Sequence, residues 1–309
     1  MYDTTNMWLD KTIAGCNHFA IANYLCDVSE IHSNKGYFIL GKADNYSVSI
    51  NEAGISLKGS LAKYSLNDNI QTLTRAGTVE AIEKLSDNLH IPIIDAKVNR
   101  IDVSTVFSVS QSPQSYYRYL GNKPYFNRVQ STNNTLYYNT DKKQLVFYDK
   151  IKEAKGKGVN IPDLYKDANL LRYELRLTQR ICKQLKANEI TGATLTDEQF
   201  YYNIIQLWGK EYFNINKLKG ISDMDLKNIK TPTDAKNILF ADLLKDKDIS
   251  YINSFLNDLK TNKTYSDAKA YTRLKNDLMS LFEAKTEEEQ SQLMQELDKE
   301  VNNVLRYCR

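Results

Sequence analysis

Residues 144–153, QLVFYDKIKE, alternate apolar and polar side chains, the period of a β-strand with one face against a core. The alternation puts Leu145, Phe147 and Ile151 on one face and Tyr148, Lys150 and Lys152 on the other. A phenol ionises near ~10 in water, and neighbouring positive charge lowers that value and helps make a nucleophile. The plainer reading is an edge strand with a solvated lysine face. Both readings stay open on this stretch alone.

Two further stretches share the design. In KVNRIDVSTVFSV (97–109), Ile101, Val103 and Phe107 fall on one face, and Arg100, Asp102 and Ser104 on the other. In LLRYELRLT (170–178), Leu171, Tyr173, Leu175 and Leu177 oppose Arg172, Glu174 and Arg176. If the three strands are neighbours, their polar faces form one surface holding two carboxylates, a tyrosine and several cations. The expected fold is then α+β, a central antiparallel sheet backed by helices and followed by a helical C-terminal region. Two carboxylate ligands plus waters, Asp102 and Glu174, suit Mg²⁺ or Mn²⁺. Arg and Lys would stabilise charge developing on a phosphodiester attacked by the tyrosine. The alternative is a set of cross-strand ion pairs on a wet face, each worth under ~1 kcal/mol.

Residues 1–35 are mixed, with partial helical periodicity over Ala14–Val28. Tyr37–Leu40, Tyr46–Ile50 and Ile55–Leu57 read as a β-meander. Thr74–Leu89 reads as a helix capped by Thr78 and stopped by Pro92. A short helix is expected within Ser112–Gly121, strands at Tyr125–Gln130 and Thr135–Asn139, and a loop over Lys155–Asn169. From Arg180 the texture becomes helical, with apolar residues three or four apart around Thr196–Phe213, Asn237–Leu244, Ile249–Lys260, Ser266–Phe282 and Glu287–Leu305. The expected domains are 1–190 and 191–309, the second leaving open whether it binds DNA, dimerises or recruits a partner.

A net charge of +3 over 309 residues does not by itself prove a nucleic-acid partner. Distribution says more: between 142 and 157 six lysines (142, 143, 150, 152, 155, 157) face only Asp149 and Glu153, a local excess able to hold phosphates or simply a solvated surface. Cys16, Cys26, Cys182 and Cys308 form no CxxC pair and read as reduced thiols of a cytosolic protein. The N-terminus lacks a signal-peptide pattern, and no apolar run of ~18 residues spans a membrane. His18, His32 and His90 form no His-hydrophobe-His metal pair and no His-x-x-Arg, which excludes the HUH nickases and the tyrosine recombinases, and Tyr307 with them. No P-loop is present, so the chain is not a P-loop helicase.

The set NRIDVSTVF (99–107), QLVFYDKIKE (144–153) and LLRYELRLTQRICKQL (170–185), preceded by SVSINEAGISLKGSLAKYSLNDN (47–69), resembles the filamentous-phage gene II/gene X replication initiators. That family runs S-R-I-D-x-T-F, then T-L-V-x-Y-x-K, then L-V-R-F-E-x-R. Staphylococcal-type rolling-circle plasmid initiators carry comparable elements. The resemblance covers roughly residues 45–185. It implies a site-specific nicking and closing enzyme that starts rolling-circle replication in a bacterial cytoplasm. The nucleophile falls on Tyr148 and its lysine on Lys150. Arg100 and Arg172 join them, and the acids Asp102 and Glu174 stand as Mg²⁺ ligands. Lys142, Lys143, Lys152, Lys155 and Arg176 are the expected contacts to origin DNA, single-stranded or hairpin. A host polymerase would extend the free 3′ end; a host helicase and a homodimer are further expected partners. Asp149 departs from the phage pattern, which has an apolar residue there. Rival readings are a mobilisation relaxase with the same chemistry, the tyrosine pair Tyr137/Tyr138 as nucleophile, and a non-catalytic nucleic-acid-binding protein.

Overall fold

Tyr46, Val48 and Ile50 are buried while Ser47 is exposed and Ser49 and Asn51 lie between, the period-two pattern of a strand with one face in a core. Asn51 accepts the amides of Ala53 and Gly54 through its side chain at 2.8 and 3.1 Å, which tightens the next turn. Gly54 sits at φ +154°, and a Cβ there would stand 2.2 Å from the Leu9 carbonyl, so the turn admits only glycine.

The structure is a computed structural model that describes residues 1–309 except 16, 35, 132–134, 160, 219–228, 245–248, 284–291 and 308–309. Its strands are β1 (Tyr2–Asp10), β2 (Cys26–Ser33), β3 (Gly36–Ala43), β4 (Tyr46–Asn51), β5 (Gly54–Ser60), β6 (Lys97–Val109), β7 (Asn127–Gln130), β8 (Leu136–Asn139), β9 (Lys143–Asp149) and β10 (Asn169–Leu177). They form one sheet in the order β2-β3-β4-β5-β1-β6-β10-β9-β8-β7, each neighbouring pair antiparallel. The α+β expectation holds. The meander, the three polar-faced strands and the β8–β9 hairpin fall where the sequence set them.

The apolar face rests on helices. Under β9 and β10, Phe147 stacks on Tyr173 with centroids 4.6 Å apart, and Tyr173 lies 4.9 Å from Trp208 of the helix Glu198–Phe213. The Asp197 carboxylate caps that helix through the Phe200 amide at 2.7 Å. The helix Arg75–Leu89 buries Thr78, Ala81, Ile82, Leu85 and Leu89, and its cap is Thr74, whose hydroxyl accepts the Gly77 amide. Thr78, the expected cap, lies inside the helix, its hydroxyl donating to the Thr74 carbonyl at 2.9 Å.

The first thirty-five residues depart from expectation. β1 runs through the middle of the sheet between β5 and β6. The expected helix over Ala14–Val28 is instead a 3-10 segment, His18–Tyr24, followed by the edge strand β2. Lys155–Asn169 is no plain loop either: a helix runs Lys150–Gly156, and Ile161 and Leu170 join Ile70, Ile151 and Ala154 in an apolar cluster.

By contacts the chain forms two units, Met1–Asn216 with Glu296–Arg309, and Lys217–Gln295. The change of texture at 190 does not coincide with a unit edge, because Trp208 and Tyr212 belong to the core beneath β10. In the second unit the helices Pro232–Leu244 and Ile249–Thr261 each pack on Ala268–Glu283. The acidic run Glu287–Glu289 lies outside the described residues, as do Cys16 and Cys308; Cys26 and Cys182 are free thiols.

Candidate active site

β6, β10 and β9 are neighbours, so their polar faces do meet. Register sets Arg172 opposite Tyr148, and Arg176 opposite both Asp102 and Gln144. The Tyr148 hydroxyl donates to Glu174 Oε1 at 2.6 Å. Arg172 Nε donates to the same oxygen at 2.6 Å. Arg176 gives Nε and Nη2 to Glu174 Oε2 at 2.8 and 2.6 Å, and Nη1 to Gln144 at 2.9 Å. Asp102 takes a bidentate pair from Arg100 at 2.9 and 2.7 Å, and Arg176 Nε stands 4.0 Å from it.

Arg172 is only 2% exposed, and a buried guanidinium must have every donor placed. Beyond Glu174 it donates to Ser104 Oγ at 2.7 Å, to the Asp3 carboxylate and to the Asn69 carbonyl. Asp3 is held in turn by the Ser60 hydroxyl.

Lys150 lies elsewhere than alternation suggested. The strand ends at Asp149, whose carboxylate accepts the Lys152 amide at 3.0 Å and caps the helix Lys150–Gly156. An aspartate at a helix N-cap outweighs one more strand residue. Lys150 is buried, with Nζ bonded to Asn69 Oδ1 and Glu153 Oε2, both at 2.7 Å. It thus reaches Arg172 through Asn69 and is a positioning residue of the network. Burial and the Arg172 charge lower its pKa.

The electrostatics reverse one expectation. Burial lifts the Tyr148 phenol well above its ordinary range; Arg172 opposes this, and Glu174 adds to it. The phenol is therefore protonated at rest. Burial also works against ionised Glu174, but Arg172, Arg176 and the Tyr148 hydrogen bond prevail and pull its pKa down to about 2. At Asp102 burial prevails over Arg100, and the pKa is pushed up to about 6.

A cleft of about 510 Å³ opens beside Tyr148, lined among others by Arg176, Tyr137, Lys152, Glu153 and Lys157. Of the expected DNA contacts, Lys152 and Arg176 line it. Lys155 is exposed on the same helix and Lys142 in the turn before β9. Lys143 points to the other face of the sheet, where it pairs with Glu211 at 2.7 Å. Tyr138 is buried on that face too, its hydroxyl donating to the Leu120 and Gly121 carbonyls. Asp3, Ser60, Asn69 and Glu153 were not named as site residues from the sequence, although Glu153 lies in 144–153 and Ser60 and Asn69 lie in 47–69, both stretches that carry the resemblance; Asp3 lies outside them.

The acids leave little room for a divalent cation. Glu174 receives four hydrogen bonds, one for each acceptor position of a carboxylate, and both Asp102 oxygens face Arg100. Among the described residues no group of three or more His, Cys, Asp and Glu is set to hold a metal. In this arrangement Glu174 has no acceptor position left for a divalent ion.

The molecule is thus an α+β protein whose ionisable site lies on the open face of one antiparallel sheet. The chain belongs to the filamentous-phage gene II family of replication-associated proteins. The N-terminal region of that family matches residues 1–198, and so takes in the whole sheet and Tyr148, Glu174, Asp102 and the three arginines. The protein is replication-associated, and that family implies interaction with DNA. No curated protein sequence matches the chain. No helix among the described residues is long and apolar enough to cross a membrane.

Proposed function

We propose that the protein initiates rolling-circle replication by nicking and rejoining DNA through Tyr148. The observation that carries this reading is the hydrogen bond from the Tyr148 hydroxyl to Glu174 at the edge of an open cleft that Tyr148 and Arg176 both line.

At rest the site is switched off. Moving the phenol proton to Glu174 is uphill, because burial and Glu174 hold the phenol above its ordinary range while Arg172 and Arg176 hold the carboxyl low. An incoming phosphodiester changes that balance. Its oxygens compete for Arg176, the more exposed of the two guanidiniums on Glu174 (27% against 2% for Arg172). A carboxylate that loses a cationic partner becomes more basic. Glu174 then takes the Tyr148 proton while Arg176, which lines the cleft, faces the developing phosphorane charge and Arg172 holds Glu174 in place.

The phenolic oxygen forms a bond to phosphorus, and the P–O3′ bond breaks. The proton passes by way of Glu174 to the departing 3′-oxygen. The products are a 5′-phosphotyrosyl link and a free 3′-hydroxyl, a primer for a host polymerase. The reverse attack closes the strand, and the phosphotyrosyl bond retains the energy for it, so no nucleotide hydrolysis is required.

Membership of a replication-associated family favours initiation over mobilisation for transfer. The test is nicking of a supercoiled plasmid that carries the element's own origin. Tyr148→Phe should bind that DNA with unchanged affinity and leave it uncut; nicking by Tyr148→Phe would move the nucleophile elsewhere.

A further inference from the structure

Tyr137 enters the same cleft from the neighbouring strand and has no part in the chemistry above. β8 pairs with β9 so that Tyr137 faces Val146, two residues along the strand from Tyr148. The two phenols are thus diagonal neighbours on one sheet face, with Cα atoms about 7–8 Å apart. Both line the cleft, with Lys152 and Lys157 on its helical side. The side chains of these lysines are 61% and 62% exposed, so their ammonium groups are within reach of solvent-borne phosphates.

Resting on the proposed cleavage reading, we infer that this cleft is the subsite for one unstacked nucleotide beside the scissile phosphate. The Tyr137 ring carries the base, and Lys152 and Lys157 carry the flanking phosphates. Three observations favour single-stranded DNA as the occupant. The volume, about 510 Å³, lies within the ~300–1,000 Å³ of clefts that enclose one small ligand, which is too little for a duplex. A ring lining such a cleft is stacked upon only by a base freed from its neighbours. The opening is continuous with Tyr148 and Arg176, so a strand seated there presents its backbone to the nucleophile. A stacking ring reads no sequence, so this subsite orients the strand and leaves choice of origin to other contacts.

The experiment uses the full chain carrying Tyr148→Phe, so binding is read without cleavage. The probe is a short oligothymidylate with one 2-aminopurine, whose fluorescence is quenched on stacking, and affinity is followed by anisotropy. Tyr137→Ala should weaken binding roughly 5- to 150-fold, the range for loss of one base–aromatic stack, and relieve the quench. Tyr137→Phe and Tyr137→Trp should keep both, which also shows that the site folds. Lys152→Ala and Lys157→Ala should each lower the slope of affinity against salt by about one. Unchanged affinity and quench in Tyr137→Ala would overturn the inference, as would Tyr137→Phe behaving like Tyr137→Ala, since the hydroxyl would then be the working group. Failure of the cleavage reading is visible separately, as no covalent adduct in the chain that retains Tyr148.

Discussion

Replacing Arg172 with methionine keeps much of the side-chain volume and removes the charge. The side chains of Arg172, Asp3 and Glu174 are 2%, 8% and 4% exposed, so the change strands two carboxylates where water cannot replace the lost donors. Breaking a buried pair by removing one partner costs about 3–5 kcal/mol. For a unit of this size that lowers the melting temperature by roughly 6–20 °C. Both tryptophans, Trp8 and Trp208, lie in the sheet unit, so urea unfolding followed by tryptophan fluorescence reports on that unit alone. Adding Asp3→Asn removes one stranded charge, and the double variant should recover roughly 0.5–3 kcal/mol relative to additivity. A loss below about 1 kcal/mol in Arg172→Met, or strict additivity with Asp3→Asn, would refute the claim that Arg172 is the buried centre of the network.

Lys150→Met should leave DNA affinity unchanged and slow adduct formation roughly tenfold to a hundredfold, because Asn69 and through it Arg172 lose their anchor; single-turnover kinetics separate the two effects. Glu174 has a folded pKa of about 2 against an ordinary 4.5, so its stabilisation is complete above pH 4.5 and is lost as pH falls towards 2, about 3 kcal/mol in all. Asp102 runs the other way: with a folded pKa of about 6 against 3.8, its ionisation removes about 3 kcal/mol as pH rises from roughly 4 to 6. Asp102→Asn should flatten that fall in urea titrations. Because Glu174 has no free acceptor position, the wild-type chain should bind Mn²⁺ weakly by calorimetry, and Arg176→Gln, which releases Oε2, should bind it more tightly; equal affinities would remove Glu174 from any ligand set. Leu297 is fully buried in the sheet unit although it lies far along the chain, so Leu297→Ala should destabilise that unit by about 2–5 kcal/mol in the same fluorescence assay.

What the sequence disclosed follows from what period-two patterns carry. In β6, β9 and β10 one face is largely apolar and the other ionisable, so the three strands could be read from the sequence; that they are neighbours, bringing Tyr148, Glu174 and Asp102 onto one surface, stood there only as a condition, which the pairing meets. β1 was not legible, because its pairing with β6 shifts between Tyr2 and Thr5, with the extra residue on β1. That bulge breaks the alternation at the start of the strand, where Tyr2 and Asp3 are both buried, and Asp3 was lost with it. Lys150 was misplaced because alternation was carried through Asp149, although an aspartate ahead of Lys-Ile-Lys-Glu is also a helix-start signal. Lys143 counted as part of a basic run, yet in β9 it shares its face with Leu145 and Phe147 and finds Glu211 on a helix far away in sequence. Composition cannot show which face a charge takes. Tyr137 and Tyr138 are adjacent letters that the strand sends to opposite faces of the sheet.

In the proposed reaction one phenolic oxygen becomes joined to DNA. The full chain should be incubated with single-stranded origin-region oligonucleotides, denatured and digested, and the nucleotide-bearing peptide sequenced by mass spectrometry. The expected product is a phosphotyrosyl group on Tyr148, borne by the 5′ end of the cut strand. No covalent product, or one borne on Tyr137 or any other residue, would contradict it.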